Sequence, residues 1–175
     1  MPIRSLSPRA RSMRRRETRK AVAAIRQADL IVIGPGSLYT SVLPNLLVRE
    51  IGRAVMESGA HKIYIANVAT QHGETDGYNA ADHYAAIRRH LGEGVVDMVL
   101  ANSNLPSEPL PAAWQSDAVV APGDADYGGA RLVLADLVDR EKRYRHDTEA
   151  LSAAIMRAYF ERDLRGRAPL AYARG

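Results

Sequence analysis

Short apolar runs, each closed by glycine, proline or asparagine, punctuate the N-terminal part of the chain. They are Asp29-Leu-Ile-Val-Ile33 before Gly34-Pro35-Gly36, Lys62-Ile-Tyr-Ile-Ala66 before Asn67, and Val95-Val-Asp-Met-Val-Leu100 before Ala101 to Asn104. Runs of this length, rich in β-branched residues and ended by turn formers, predict strands buried on both faces. Between them the spacing turns helical. Ala21, Val22, Ala24 and Ile25 predict a helix over Glu17–Gln27, Ser37–Ser58 reads as mostly helical with Pro44 at its start or at a break, and Asn79–Leu91 reads as a helix capped by Asn79. Further on, Ala118–Ala121 and Leu132–Leu137 are expected strands, and Leu105–Pro111 is an expected proline-rich loop. Leu151, Ala154, Ile155 and Ala158 mark one face of a final helix, Asp147–Phe160, capped by Asp147.

Alternating buried strands and helices predict an α/β fold: a doubly wound, mostly parallel sheet with helices on both faces. Ligands of such sheets bind beyond the carboxyl ends of the strands. The polar segments Gly34–Ser37, Asn67–Tyr78 and Asn102–Asn104 each follow a predicted strand, so all are expected on one rim.

Composition narrows the chemistry. The 175 residues suit one domain, expected over residues 17–162. Cysteine is absent, which excludes a disulfide scaffold, a thiolate nucleophile, an iron–sulfur cluster and cysteine-ligated zinc. No apolar run approaches the roughly 18 residues of a spanning helix, so no membrane partner is expected and the expected location is cytoplasmic. The net charge of +4 hides an asymmetry. Residues 1–26 carry nine Lys/Arg against the single acid Glu17, whereas the remainder is net acidic. Residues 1–16 are therefore expected to form a disordered basic arm, and 163–175 a frayed tail. A nucleic-acid tether through the arm is a disfavoured alternative, because charge runs are mostly solvated.

Two segments carry candidate chemistry. In Gly34-Pro35-Gly36-Ser37-Leu38-Tyr39-Thr40-Ser41 a strand turns through two glycines into a helix start with Ser37, Thr40 and Ser41 hydroxyls. Free backbone N–H groups and a partial positive charge make this a candidate phosphate cradle, and equally a tight turn with an ordinary cap. It is neither a dinucleotide fingerprint nor a P-loop, and Ser37 reads as a cap rather than a nucleophile. The second segment, Asn67 to Tyr78, packs Asn67, Thr70, Gln71, His72, Glu74, Thr75 and Asp76 together, with Asp82 and His83 on the next helix. It could bind a sugar or base, hold Mg²⁺ through Asp76 and Asp82, do acid–base work, or be a hydrophilic surface loop. His72 and His83 match no zinc spacing. Asn102 and Asn104 could read a base or ribose or simply form a turn. His146 and Trp114 read as structural.

The segments Asp29–Val48, Asn67–His83 and Tyr144-Arg-His-Asp-Thr-Glu-Ala-Leu151 resemble the CofD/YvcK-like family, closer to its gluconeogenesis-factor branch than to its 2-phospho-L-lactate transferase branch. The resemblance implies a Rossmann-like cytoplasmic protein that often self-associates. It implies UDP-sugar binding and a role in cell-wall morphogenesis on gluconeogenic carbon. The other branch implies Mg²⁺-dependent transfer of a phospholactyl group to a deazaflavin precursor. Family members are longer and open on a strand and a Gly-Gly-Gly-Thr-Gly loop that this sequence does not contain. The chain is thus expected to be a C-terminal half, completed by self-association or by a missing N-terminal half.

The leading expectation is a nucleotide-sugar-binding regulatory protein without a certain cofactor; the alternative is a transferase with Mg²⁺. The expected ligand residues are Gly34, Gly36, Ser37, Tyr39, Thr40, Ser41 and Asn45 from the first segment. Asn67, Thr70, Gln71, Glu74, Thr75, Asp76, Tyr78, Asp82 and His83 come from the second, with Asn102 and Asn104 from the third.

Overall fold

The computed structural model describes residues 8–142 and 144–162, with side chains from residue 16 onward. The expected tail and the first residues of the basic arm lie outside the described residues. The apolar runs form strands β1 (Leu30–Ile33), β2 (His61–Ile65) and β3 (Met98–Asn102), joined by β4 (Arg131–Ala135). They lie side by side in chain order, all parallel, with Val32 opposite Ile63, Ile63 opposite Met98, and Met98 opposite Arg131.

Strand order in step with chain order has a consequence. Right-handed crossovers that all advance in one direction place their connections on one face. That face holds α2 (Leu43–Leu46), α3 (Arg49–Glu57), α4 (Ala80–Leu91) and the β3–β4 connection, packed on Ile33, Tyr64, Ala66, Val99 and Ala101. The other face, Ile63, Ile65, Met98 and Leu100, is covered by α5 (Thr148–Glu161) through Leu151, Ala154 and Ala158. Helices therefore do lie on both faces, unequally.

Several expectations shift. Helix α1 (Pro8–Gln27) begins well before Glu17, so residues 8–16, assigned to a disordered arm, continue the helix. Its Ile25 packs against the core and its Arg26 faces Glu57 at 3.9 Å. The single helix expected over Ser37–Ser58 is a π-helical turn, Leu38–Val42, followed by α2 and α3, with Val48 extended between them. Gly52 permits that corner. A Cβ there would collide with the Leu46 carbonyl oxygen and sit 3.2 Å from Leu91 Cδ2. Ala118–Ala121 is no strand: it runs against the segment after β2, with Val119 N–H donating to the Val68 carbonyl at 3.0 Å and an antiparallel bridge between Ala69 and Ala118. Pro122 and Gly123 end the run there. The caps at Asn79 and Asp147 stand as read, Asn79 forming a capping box with Asp82.

His83, in the first turn of α4, is fully buried, its Nδ1 bonded to the Asn79 carbonyl at 2.8 Å. Burial pushes its pKa down, opposed by that bond and by Asp82. The folded chain thus binds fewer protons than the unfolded one wherever an ordinary histidine is charged. The penalty is absent above the unfolded pKa and grows as pH falls through it. Thermal melts should show stability decreasing from about pH 7.5 to about pH 5.5, less so in His83→Gln; an unchanged pH slope in that variant would contradict the assignment. Gly52→Ala should lower unfolding free energy by about 1–3 kcal/mol in denaturant titrations, and a neutral result would show that the α2–α3 corner relaxes freely.

Candidate functional site

The parallel sheet places the segments after β1, β2 and β3 at one edge. Gly34 leaves β1 with a φ of +87°, and a Cβ on it would lie 3.1 Å from the Ile65 carbonyl oxygen. Glycine is thus what lets the first turn lie against β2. The Asn67 amide then locks the two turns together. Its Oδ1 accepts from Gly36 N–H at 3.3 Å, and its Nδ2 donates to the Gly36 carbonyl at 3.1 Å. Ser37 caps the following turn by accepting from Thr40 N–H at 3.2 Å, and donates to Glu74 Oε2 at 2.7 Å. Tyr39 and Tyr78 join hydroxyl to hydroxyl at 2.9 Å, and that bond, with burial, holds the Tyr39 pKa above its ordinary value.

A cavity of about 660 Å³ opens beyond these turns. Pro35, Gly36, Ser37, Asn67, Thr70 and Gln71 form one wall. The start of α5 and the residues before it form the opposite wall: Tyr144, Arg145, His146, Thr148 and Ser152, with Leu151 and Ile155 at the base and Ser116 between. No carboxylate is among these lining residues. Arg145 brings a full positive charge; the first turn of α5 adds backbone N–H groups, one of which, Ala150 N–H, is already taken by the Asp147 cap.

Individual polar groups define the lining further. Thr70 is buried and accepts from Asp117 N–H at 2.9 Å, so it fixes the wall rather than offering a free hydroxyl. Gln71 Oε1 is buried and has no hydrogen-bond partner within the protein, an acceptor awaiting a donor. His146 Nε2 donates to the Ala66 carbonyl at 3.2 Å, and burial pushes the imidazole pKa down. The ring is therefore neutral at neutral pH with Nδ1 as an acceptor. The Tyr144 ring packs edge-on against the Trp114 ring, 4.8 Å away, and the Arg145 guanidinium lies 5.4 Å from its centroid.

Of the residues singled out in the sequence, Gly36, Ser37, Asn67, Thr70 and Gln71 meet at this cavity. Glu74 stands behind Ser37. Gly34, Ser41 and Asn45 border a separate apolar groove beside β1. Asn102 and Asn104 line another space, of about 40 Å³, and are committed to each other, to Leu137 N–H and to Asp136. Thr75 is fully buried and accepts from Gln71 N–H; Asp76 accepts from Gly73 N–H at 2.8 Å; Asp82 accepts from Asn79 N–H at 2.9 Å. His83 lies in the core.

These carboxylates build turns and a helix cap, and neither Asp76 nor Asp82 lines the cavity. Among the described residues no group of three or more His, Asp or Glu side chains could hold a metal ion. The lining of this cavity therefore offers no carboxylate to hold Mg²⁺. Sequence reasoning passed over Ser116, Tyr144, Arg145, Thr148 and Ser152 as ligand candidates and read His146 as structural. The one available signal was the family-like segment starting at Tyr144.

Known proteins extend this picture. Residues 4–156 match the family described as 2-phospho-L-lactate transferase CofD. A gluconeogenesis factor from Halalkalibacterium halodurans is 54% identical over 99 residues, spanning 57% of this chain and 31% of that protein. One from Bacillus subtilis is 40% identical over 143 residues, 78% of this chain and 45% of that protein. A crystal structure of protein BH3568 from Bacillus halodurans superposes with a TM-score of 0.73 at 43% identity, over 79% of this chain and 46% of that one. A second structure of BH3568, described as a member of the UPF0052 family, gives 0.68 at 42%. The chain spans less than half the length of each of these relatives. By motif, fold and breadth of match, the chain belongs to the CofD family and is similar to its gluconeogenesis factors.

Proposed function

We propose that this chain binds a nucleoside-diphosphate sugar of the UDP-sugar type and acts as a cytoplasmic regulatory protein of the gluconeogenesis-factor kind. It would link carbon metabolism to cell-wall morphogenesis and catalyse no reaction of its own. The observation that carries the reading is a cavity of ligand size, lined by Arg145 and a helix start but by no carboxylate. Arg145 is the one charged residue in that lining, and it favours an anion, while the nearby Glu74 carboxylate is engaged by the Ser37 hydroxyl and Asp147 by the cap of α5. The diphosphate would lie between Gly36–Ser37 and the first turn of α5, with Arg145 over it. The Gln71 Oε1 acceptor suits a donor such as a sugar hydroxyl or a base N–H. Among the described residues no helix is long and apolar enough to cross a membrane, which is compatible with the location proposed.

A helix start alone contributes only about 0.3–1 kcal/mol at an exposed site, so Arg145 carries most of the expected discrimination. Calorimetry with UDP-N-acetylglucosamine should show Arg145→Ala weakening binding about 10- to 100-fold, the loss of one charge-assisted contact. Ser37→Ala should weaken it less, and Asp76→Ala, outside the cavity, should leave it within about twofold. Absence of binding by the parent chain, or an Asp76 effect larger than that of Arg145, would overturn the reading.

A further inference from the structure

A second cavity, also of about 660 Å³, lies at the other end of the strands, where β2 and β3 begin. Arg26 at the end of α1, Lys62 in β2, Asp97 before β3, and Tyr159 and Arg162 at the end of α5 line it. It shares no lining residue with the candidate site, and the length of β2 separates the two. Lys62 is the anomaly there. The residue is 9% exposed, and among the described residues its ammonium makes one hydrogen bond, to the Ala60 carbonyl at 3.2 Å. An ammonium has three donors, and a lysine is rarely buried without a counter-charge. The two acids of the lining, Asp29 and Asp97, do not supply one: among the described residues neither forms an ion pair with that ammonium. Asp97 Oδ2 instead accepts from the Lys62 backbone N–H at 2.7 Å and faces His61 Nδ1 at 3.5 Å. Arg26 and Arg162 add two further cations, and Arg26 meets Glu57 only at 3.9 Å.

We propose that this cavity is a second binding site, for the terminal phosphate of a small phosphorylated metabolite, with Lys62 as the buried cation that meets it. A buried charge without a partner is costly, and an arriving anion removes that cost. A phosphomonoester brings between one and two negative charges and three acceptor oxygens, which match the two unused donors of Lys62 and the forks of two guanidinium groups. A carboxylate brings one charge and two oxygens and leaves more of the cluster uncompensated. The phosphates of a nucleotide sugar are substituted on both sides and present no such end, so the two cavities would sort ligands by the kind of phosphate. The volume leaves room beyond the phosphate for a sugar-sized remainder. Arg162 is positioned in advance: its guanidinium lies 3.8 Å from the Tyr159 ring centroid, and its Nη1 donates to the Tyr159 carbonyl at 2.5 Å. Helix α5 reaches both cavities, Thr148 and Ser152 lining the first and Tyr159 and Arg162 the second. The proposal does not depend on which ligand the first cavity takes.

The test titrates the full 175-residue chain, isotope-labelled, with glucose 6-phosphate, inorganic phosphate, citrate and UDP-N-acetylglucosamine while amide shifts are followed. Glucose 6-phosphate should give saturable shifts at residues 26–29, 58–62, 97 and 159–162, inorganic phosphate weaker ones at the same places, and the other two none there. Lys62→Met should weaken glucose 6-phosphate about 10-fold or more, and the half-exposed Arg26→Gln about 2- to 5-fold. Arg49→Gln, which removes an exposed charge outside the cavity, should stay within about twofold. Without any anion, Lys62→Met should melt no more than about 2 °C below the parent, because methionine leaves no buried charge to pair. A fall of about 5 °C or more would show that the fold already satisfies the ammonium, and would overturn the proposal. So would equal affinity in parent and Lys62→Met, or citrate binding as tightly as glucose 6-phosphate. Unsaturable shifts spread over exposed cations would mean an adventitious ion only, and shifts centred on residues 36–37 and 145–152 would leave the first cavity as the phosphate site; either overturns it. If Lys62→Met does not fold, Arg26→Gln decides: an affinity unchanged from the parent contradicts the proposal. Failure of UDP-N-acetylglucosamine to bind the first cavity leaves every one of these outcomes readable.

Discussion

The Asn67 side chain holds both the N–H and the C=O of Gly36, and the geometry of the candidate site depends on that double bond. Parallel pairing of β1 with β2 brings the two turns to one edge, but pairing ends with the strands. Beyond it, each turn would be a separate loop with its own conformational freedom, and fixing a backbone residue costs roughly 1–2 kcal/mol. The amide joins them across a sequence gap of 31 residues. Ser37 and Glu74 add a second tie, and Tyr39 and Tyr78 a third. The wall of the cavity is thus assembled before any ligand arrives, and the α5 wall is fixed independently by the Asp147 cap and the His146 bond to Ala66. A site prepared in this way loses less entropy on binding than two free loops would.

What the sequence disclosed follows the range of the interactions concerned. Strands β1 to β3 were legible because a continuous apolar run bounded by turn residues admits few other readings. The caps at Asn79 and Asp147 were legible because a cap is decided within three or four residues. Ala118–Ala121 has the same local pattern as a strand, yet it pairs with the segment after β2 and not with the sheet, and only the tertiary arrangement decides between those partners. The α2–α3 break depends on Gly52 lying against Leu46, a contact that a helical pattern does not reveal.

The site was half legible for a related reason. Ser37, Asn67 and Gln71 follow strands, and the topology of parallel sheets brings such residues to a common rim. Arg145, Thr148 and Ser152 arrive from a distant helix start, which strand endings do not predict. Asp76, Asp82 and Thr75 look like ligand groups because carboxylates and hydroxyls bind ligands, but the same groups satisfy backbone N–H donors in tight turns, and here they do so. Their removal from the lining changes the chemistry. A rim imagined as acidic and suited to a metal becomes one with a single arginine and no carboxylate.

The central claim is that the turns after β1 and β2 and the start of α5 form one anion-binding cavity. Its most direct test is an amide-resolved NMR titration of the isotope-labelled chain with UDP-N-acetylglucosamine. The account predicts saturable shifts concentrated at residues 36–37, 67–71 and 145–152, with residues 102–104 and the N-terminal ends of β2 and β3, where His61 faces Asp97 at 3.5 Å, unmoved. Shifts centred on either of those two regions, or none at millimolar nucleotide sugar, would contradict it.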